Sequence, residues 1–179
     1  YYMAPGVVKS FKKKFKALLF DYLELMGFDI FLNMKGIEKE ISKIKEVNFS
    51  MSRFEKFFKG SGDVELLFRK AHKKAIIKVE KLTYQAMESF IHNLNTMHSR
   101  AGAQVPFSSV NFGTDTSFEG RMVIKNYLLA TEAGLGNGET PIFPISIFKV
   151  KEGINYNEGD PNYDLFKLAC KVSAKRLFP

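Results

Sequence analysis

The stretch from Val105 to Lys151 reads VPFSSVNFGTDTSFEGRMVIKNYLLATEAGLGNGETPIFPISIFKVK, and its punctuation decides the fold class. Val105 to Phe112 is β-branched and aromatic, which predicts a short strand. Thr116 and Glu119 stand three apart as a capping box, opening a helix that Gly134 closes at its C′ position. Gly134 to Gly138 then forms a loop, and Ile142 to Lys151 a second strand whose start is interrupted by Pro144. After a turn over Gly153 to Gly159, Asp160 caps and Pro161 starts a last helix, with Leu165, Leu168, Ala169 and Val172 on its buried side. Strands alternating with capped helices predict an α/β fold.

Toward the N-terminus the pattern is helical. Ala101-Gly102-Ala103 is too small and permissive to sustain a helix. It follows a long apolar line through Val64, Leu67, Ala71, Ala75, Val79, Leu82, Ala86, Phe90 and Leu94, which begins after Gly60-Ser61-Gly62-Asp63. Ile37 to Lys59 predicts one or two short helices with a break near Asn48-Phe49-Ser50. From Pro5 to Met26, Val8, Phe11, Phe15, Leu18, Tyr22 and Leu25 recur at helical spacing before Gly27. The expectation is a helix-rich N-terminal half followed by alternating strands and helices. Residues 1–98 form a Lys/Phe-rich helical part and 99–179 a loop and strand-helix part, with no Gly/Ser or Pro linker between them.

The charge divides in the same way. The 179 residues carry a net +8, with 18 Lys+Arg against 10 Asp+Glu up to Leu82 and 9 against 9 from Thr83 onward. A chain that is 45% hydrophobic and 14% aromatic is globular, which excludes a disordered or low-complexity class. One cysteine, Cys170, excludes a disulfide framework and a Cys-rich metal centre built from this chain alone. No apolar run approaches the ~20 residues of a membrane span, so the chain reads as cytoplasmic with no membrane partner. Its ends, Tyr1-Tyr2 and Arg176-Leu177-Phe178-Pro179, read as cut.

Few motifs rise above a structural reading. The Gly134–Gly138 loop follows a helix and precedes a strand, the reverse of a phosphate cradle, and reads first as a helix stop. His92 and His98, six apart, are poorly spaced for one metal. Cys170 beside Ala169 reads as a buried, inert thiol. Lys12-Lys13-Lys14 and Lys70, Lys73, Lys74, Lys78 and Lys81 interleave with Phe11, Phe15 and Phe68. Because those Phe fall at core spacing, a solvated lysine face is the first reading, a polyphosphate or nucleotide site the second and a polynucleotide surface the third. The segment Asn93 to Phe107 is different. It sets Ser99, Arg100 and Gln104 among residues with minimal side chains at a helix-to-strand transition, a composition suited to bringing backbone close to a ligand.

At these residues the sequence resembles one family, the anaerobic class III ribonucleoside-triphosphate reductases that carry a glycyl radical. The resemblance runs through Thr83–Glu88, Asn93–Phe107, Ser108–Ser117, Glu119–Ile124, Leu128–Pro144 and Gly159–Cys170, and includes Tyr1–Val7, while Phe28–Lys81 matches only in helical character. It implies a slice of a ten-stranded α/β barrel, and a specificity loop at Ser99, Arg100, Ala101, Gly102, Ala103 and Gln104 that relays effector identity to the substrate base pocket. It further implies an effector lying on a dimer face formed by the preceding helices, with Lys12, Lys13 and Lys16 as phosphate candidates. The implied partners are a ribonucleoside triphosphate substrate, a deoxynucleotide or ATP effector, a second copy of the protein and a radical-SAM activating enzyme, with no polynucleotide. The glycyl radical, the zinc cysteines, the ATP cone and both catalytic cysteines fall outside what this sequence matches. Cys170 corresponds to neither cysteine, so no catalytic or metal residue is assigned here and the 179-residue chain is expected to be inactive alone. A non-catalytic nucleotide-binding or dimerising module of the same descent is the other reading.

Overall fold

The computed structural model describes residues 3–27, 34–58, 62–97 and 104–177. They form α1 (Ala4–Leu25), α2 (Met34–Ser42), a 3₁₀ turn (Met51–Phe54), α3 (Glu55–Phe58), α4 (Gly62–Thr96), β1 (Ser109–Phe112), α5 (Phe118–Ala133), β2 (Ile145–Phe148) and α6 (Tyr163–Arg176). Two compact units share helix α4, one covering Tyr2–Lys81 and the other Leu82–Pro179. The boundary falls within two residues of the break in charge. Among the described residues no helix is long and apolar enough to cross a membrane.

The unit Tyr2–Lys81 is organised by aromatic rings. Phe11 and Phe15 of α1 stack at 5.6 Å, Phe15 meets Phe54 at 6.1 Å and Phe68 at 6.5 Å, and Phe54 meets Phe68 at 5.2 Å. These four rings are fully buried. Each such pair contributes about 0.5–1.5 kcal/mol beyond the area it buries. The His72 ring lies edge-on to Phe11, Phe15 and Phe49, and its Nε2 bonds the Val47 carbonyl at 2.8 Å. On α1 the buried line is Val7, Phe11, Phe15, Leu18, Leu19 and Leu23, whereas Leu25 is exposed. The expected line through Val8, Tyr22 and Leu25 therefore lies one position off at both ends, because the phenylalanines fix the helix's rotation. The break before the second short helix is at Lys43–Ser50, where Ile44 and Val47 are buried without regular structure.

In the unit Leu82–Pro179, β1 and β2 pair in parallel, Ser109 opposite Ile145 through Phe112 opposite Phe148, with α5 as the crossover between them. The α/β expectation holds as a mixed, helix-rich fold with a two-stranded parallel sheet among the described residues. Phe112 and Phe148 turn to the helices and pack on Ile124, Leu128, Leu165, Ala169 and Val172. Met87 and Ile91 of α4 join Tyr127 and Ala130 of α5 in a second cluster. Both strands are shorter than the sequence suggests, and each begins after a proline, Pro106 or Pro144, that lacks the N–H an earlier start would need.

Four local expectations are corrected. The buried line of α4 continues from Val79 through Thr83, Met87 and Ile91, keeping the interval of four, rather than moving to Leu82, Ala86 and Phe90. The cap of α5 is Ser117, whose hydroxyl accepts from the Gly120 amide at 3.1 Å, rather than Thr116. Asp160 does not cap α6. Its carboxylate accepts from the Tyr156 and Asn157 amides, and Asn162 occupies the cap position. Cys170 is exposed, because the buried face of α6 follows Leu165, Ala169 and Val172.

Replacing Phe15 by Ala in the protein that contains these residues is expected to cost about 3–5 kcal/mol in urea unfolding, whereas Lys13→Ala costs under about 0.5 kcal/mol. Equal effects would remove the ring cluster as the organiser of this unit.

Candidate functional site

Side chains, more than strands, hold the segments around the sheet. Asn155, fully buried, donates from Nδ2 to the carbonyls of Gly113 (3.0 Å) and Lys149 (2.9 Å), and its Oδ1 accepts from the Lys151 amide at 2.8 Å. Asn162, also fully buried, donates to Gly113 (3.1 Å) and Asp115 (2.9 Å), while its Oδ1 accepts from Arg121 Nη1 at 2.6 Å. Arg121 continues to the Pro161 carbonyl and to Asp164 at 2.8 Å. Thus the end of β1, the end of β2 and the start of α6 meet at the Gly113 carbonyl. Gly120 admits Asp115 so closely that a Cβ there would stand 2.2 Å from the Asp115 carboxyl carbon. Burial raises the Asp115 carboxyl, but hydrogen bonds from the Ser117 hydroxyl and amide lower it, and it sits below its ordinary value.

At the other end of this unit, α4 and the loop after α5 enclose a cleft of about 450 Å³. Glu88, Ser89, His92 and Asn93 line it from α4, as two pairs at helical spacing on one face, and Gly134 to Gly138 line it from the loop. Gly134 ends α5 with φ +83°, and a Cβ there would come 2.6 Å from the Glu139 carbonyl oxygen. The Leu135, Asn137 and Gly138 amides bond within the loop, to the Glu139 carbonyl, the Glu139 carboxylate and the Leu135 carbonyl. Those contacts fit a helix stop and leave no array of amides for a phosphate. Hydrogen bonds from its own amide, the Asn137 amide and the Asn137 side chain hold the Glu139 carboxyl below its ordinary value.

Behind the cleft, Arg176 closes the C-terminus of α5. Its guanidinium donates to the carbonyls of Glu132 (2.7 and 3.1 Å), Ala133 (2.9 Å) and Gly138 (2.8 Å), and to Thr140 Oγ1 at 3.3 Å. The Glu132 and Ala133 carbonyls belong to the last turn of α5 and lack a helical partner, and a cation suits the negative end of the helix dipole. The cleft therefore has a rim held by hydrogen bonds and walls of hydrogen-bonding side chains. A hydroxyl, amide and imidazole beside the Glu88 carboxylate suit a neutral polar group such as a sugar or a base better than a phosphate.

Ser99, Arg100, Ala101, Gly102 and Ala103, expected from the resemblance to form a specificity loop, lie outside the described residues, as does His98. Gln104 is described and exposed just before β1. Lys12 donates to the Ser42 carbonyl at 2.7 Å, Lys16 pairs with Glu38 at 2.7 Å, and Lys13 is exposed. An exposed pair such as Lys16–Glu38 is worth about 0–1 kcal/mol. Among the described residues no three His, Cys, Asp or Glu side chains converge where a metal could sit, and one exposed thiol does not fit a thiolate zinc centre. Sequence reasoning missed Asn95, Asn155, Asn162, Arg121 and Arg176. Their partners are mostly distant backbone groups that no local pattern marks.

The family model for anaerobic ribonucleoside-triphosphate reductase matches residues 1–179. The chain is similar to the anaerobic ribonucleoside-triphosphate reductase of Haemophilus influenzae, 36% identical over 142 residues that are 78% of this chain and 20% of that protein. It is 40% identical over 103 residues to the reductase of the same name from Salmonella typhimurium, 57% of this chain and 14% of that one. It is 42% identical over 103 residues to that of Enterobacteria phage T4, 57% of this chain and 17% of the phage protein. The matched part is thus a fifth or less of the length of these relatives.

Replacing Arg176 by Ala is expected to lower stability by about 2–3 kcal/mol, because charged hydrogen bonds to several carbonyls are lost together. Arg176→Lys should restore less than half of it, since one ammonium cannot span them. Chemical denaturation reads both values, and full rescue by Lys would show that only the charge matters.

Proposed function

Because the chain belongs to the anaerobic ribonucleoside-triphosphate reductase family, we propose that it works within a longer polypeptide that reduces ribonucleoside triphosphates to deoxyribonucleoside triphosphates, and that its own contribution is selection of the substrate base. The observation that carries this reading is the family match across residues 1–179. The loop Ser99–Gln104 is its relay, resembling the family's specificity loop in residues and position. The cleft between α4 and the Gly134–Gly138 loop supports the reading with walls suited to a sugar or base, and the lysines of α1, Lys12, Lys13 and Lys16, are the candidates for effector phosphate.

The same reading makes the sheet part of a larger α/β barrel. In support, Ser109, Asn111, Ile145 and Ile147 form an outward face on which both isoleucines remain 43% exposed. Parallel strands are ordinarily covered on both faces. A homodimer with an effector on the helical side, a radical-SAM activating enzyme and a cytoplasmic setting belong to the proposal. When present, a glycyl radical supplies the one-electron chemistry of the reaction. The residues of this chain do not fit that role or a zinc site. What they do is hold a loop and a polar cleft in place, so the chain by itself is expected to be inactive.

Arg100→Ala in the full-length protein is the test. Measuring deoxynucleotide formation from two ribonucleoside triphosphates under each of two effectors should show at least a fivefold loss of effector-dependent base preference, the low end of ordinary allosteric coupling. Unchanged preference with intact activity would contradict the reading, as would deoxynucleotide formation by the purified 179-residue chain.

A further inference from the structure

Asn95 lies in the last turn of α4, four residues before Ser99, and uses every hydrogen-bonding position of its amide. Nδ2 donates to the Ile91 carbonyl at 2.7 Å and to the Phe143 carbonyl at 2.6 Å. Oδ1 accepts from the Ile142 amide at 2.8 Å and the Phe143 amide at 3.0 Å. A flipped amide would set donor against donor and acceptor against acceptor, so the clasp has one orientation. Asparagine is a mediocre helix former, and alanine would suit the helix better by a few tenths of a kcal/mol up to about 0.7 kcal/mol. Its value at this position is the directed bonding to a segment 48 residues away.

The far side of the loop reaches the same residue. The ring of Phe107, three residues after Gln104, meets the Phe143 ring edge-on at 5.2 Å, although Phe107 is 83% exposed. An exposed phenylalanine held against one buried ring is poorly explained by burial alone. Phe143 in turn leads into β2 two residues on, where Ser146 is buried and hydrogen-bonded to Tyr127 of α5 and to the Pro144 carbonyl. The described residues that bracket Ser99–Gln104 therefore converge on one seat. Asn95 holds the Phe143 backbone and Phe107 its ring.

We propose that Asn95 is a positioning residue for substrate selection. By fixing the end of α4 to Ile142–Phe143, it gives the specificity loop a fixed reference against which effector binding can act. This rests on the reading of Ser99–Gln104 as that loop. An effector shifts an equilibrium only through a difference in free energy between states. A loop whose entry is unclasped samples positions that the effector does not distinguish, and the difference shrinks.

The test uses the full-length reductase with Asn95→Asp, Phe107→Leu and Arg100→Ala. Aspartate keeps the acceptor for the two amides but cannot donate to Phe143. Four rates are measured, two ribonucleoside triphosphates under each of two deoxynucleotide effectors, and reduced to the ratio of the two base preferences. A purely structural loss lowers all four rates together and leaves this ratio intact. Asn95→Asp is expected to reduce it at least tenfold and Phe107→Leu at least threefold. Phe107→Leu also decides the matter if Asn95→Asp does not fold, because an exposed side chain contributes little to stability. An altered ratio in Arg100→Ala with wild-type ratios in the other two overturns this proposal and leaves the loop reading standing. Wild-type ratios in all three overturn both.

Discussion

Two parallel strands of four residues cannot satisfy the backbone that enters and leaves them, and the unit Leu82–Pro179 depends on side chains that do so instead. Asn155 and Asn162 both donate to the Gly113 carbonyl, and Asn95 brackets Ile142–Phe143 from both sides. A buried carbonyl without a partner costs about 1–3 kcal/mol, a penalty that Asn155 and Asn162 together remove at the Gly113 carbonyl. Arg176 performs the same service for the end of α5 and Arg121 for the start of α6. No buried side-chain nitrogen or oxygen among the described residues lacks a partner. Such networks specify one arrangement when complete.

The other unit reaches order by a different route. Its rings interlock, and its excess charge is carried on exposed faces where lysine partners are weak and exchangeable. An aromatic core tolerates a heavily charged surface because the rings, not the ion pairs, supply the stability.

Much of this was legible in sequence, and the parts that were not share a cause. The α/β class, the stop at Gly134 and the buried Phe11, Phe15 and Phe68 followed from punctuation and spacing. On α1 the expected line holds at Phe11, Phe15 and Leu18 and departs only at the ends, whereas on α4 packing keeps the interval of four through Thr83, so the buried line passes the more hydrophobic Leu82 by. Thr116 and Asp160 looked like caps because both residue types can cap. Ser117 won because Asp115 Oδ1 bonds its hydroxyl and amide, and Asp160 was taken by the turn at Tyr156–Asn157. The asparagine clasps were invisible because a residue that bonds a backbone 42 to 49 positions away leaves no local mark.

The central claim is that these asparagines, rather than regular secondary structure, hold the segments around the candidate site. Amide hydrogen exchange measures it most directly in the full-length protein. The amides of Ile142, Phe143 and Lys151 lie outside every helix and strand yet bond Asn95 or Asn155. The account predicts that they exchange as slowly as amides in the middle of α5. Exchange as fast as that of exposed loop amides would contradict it.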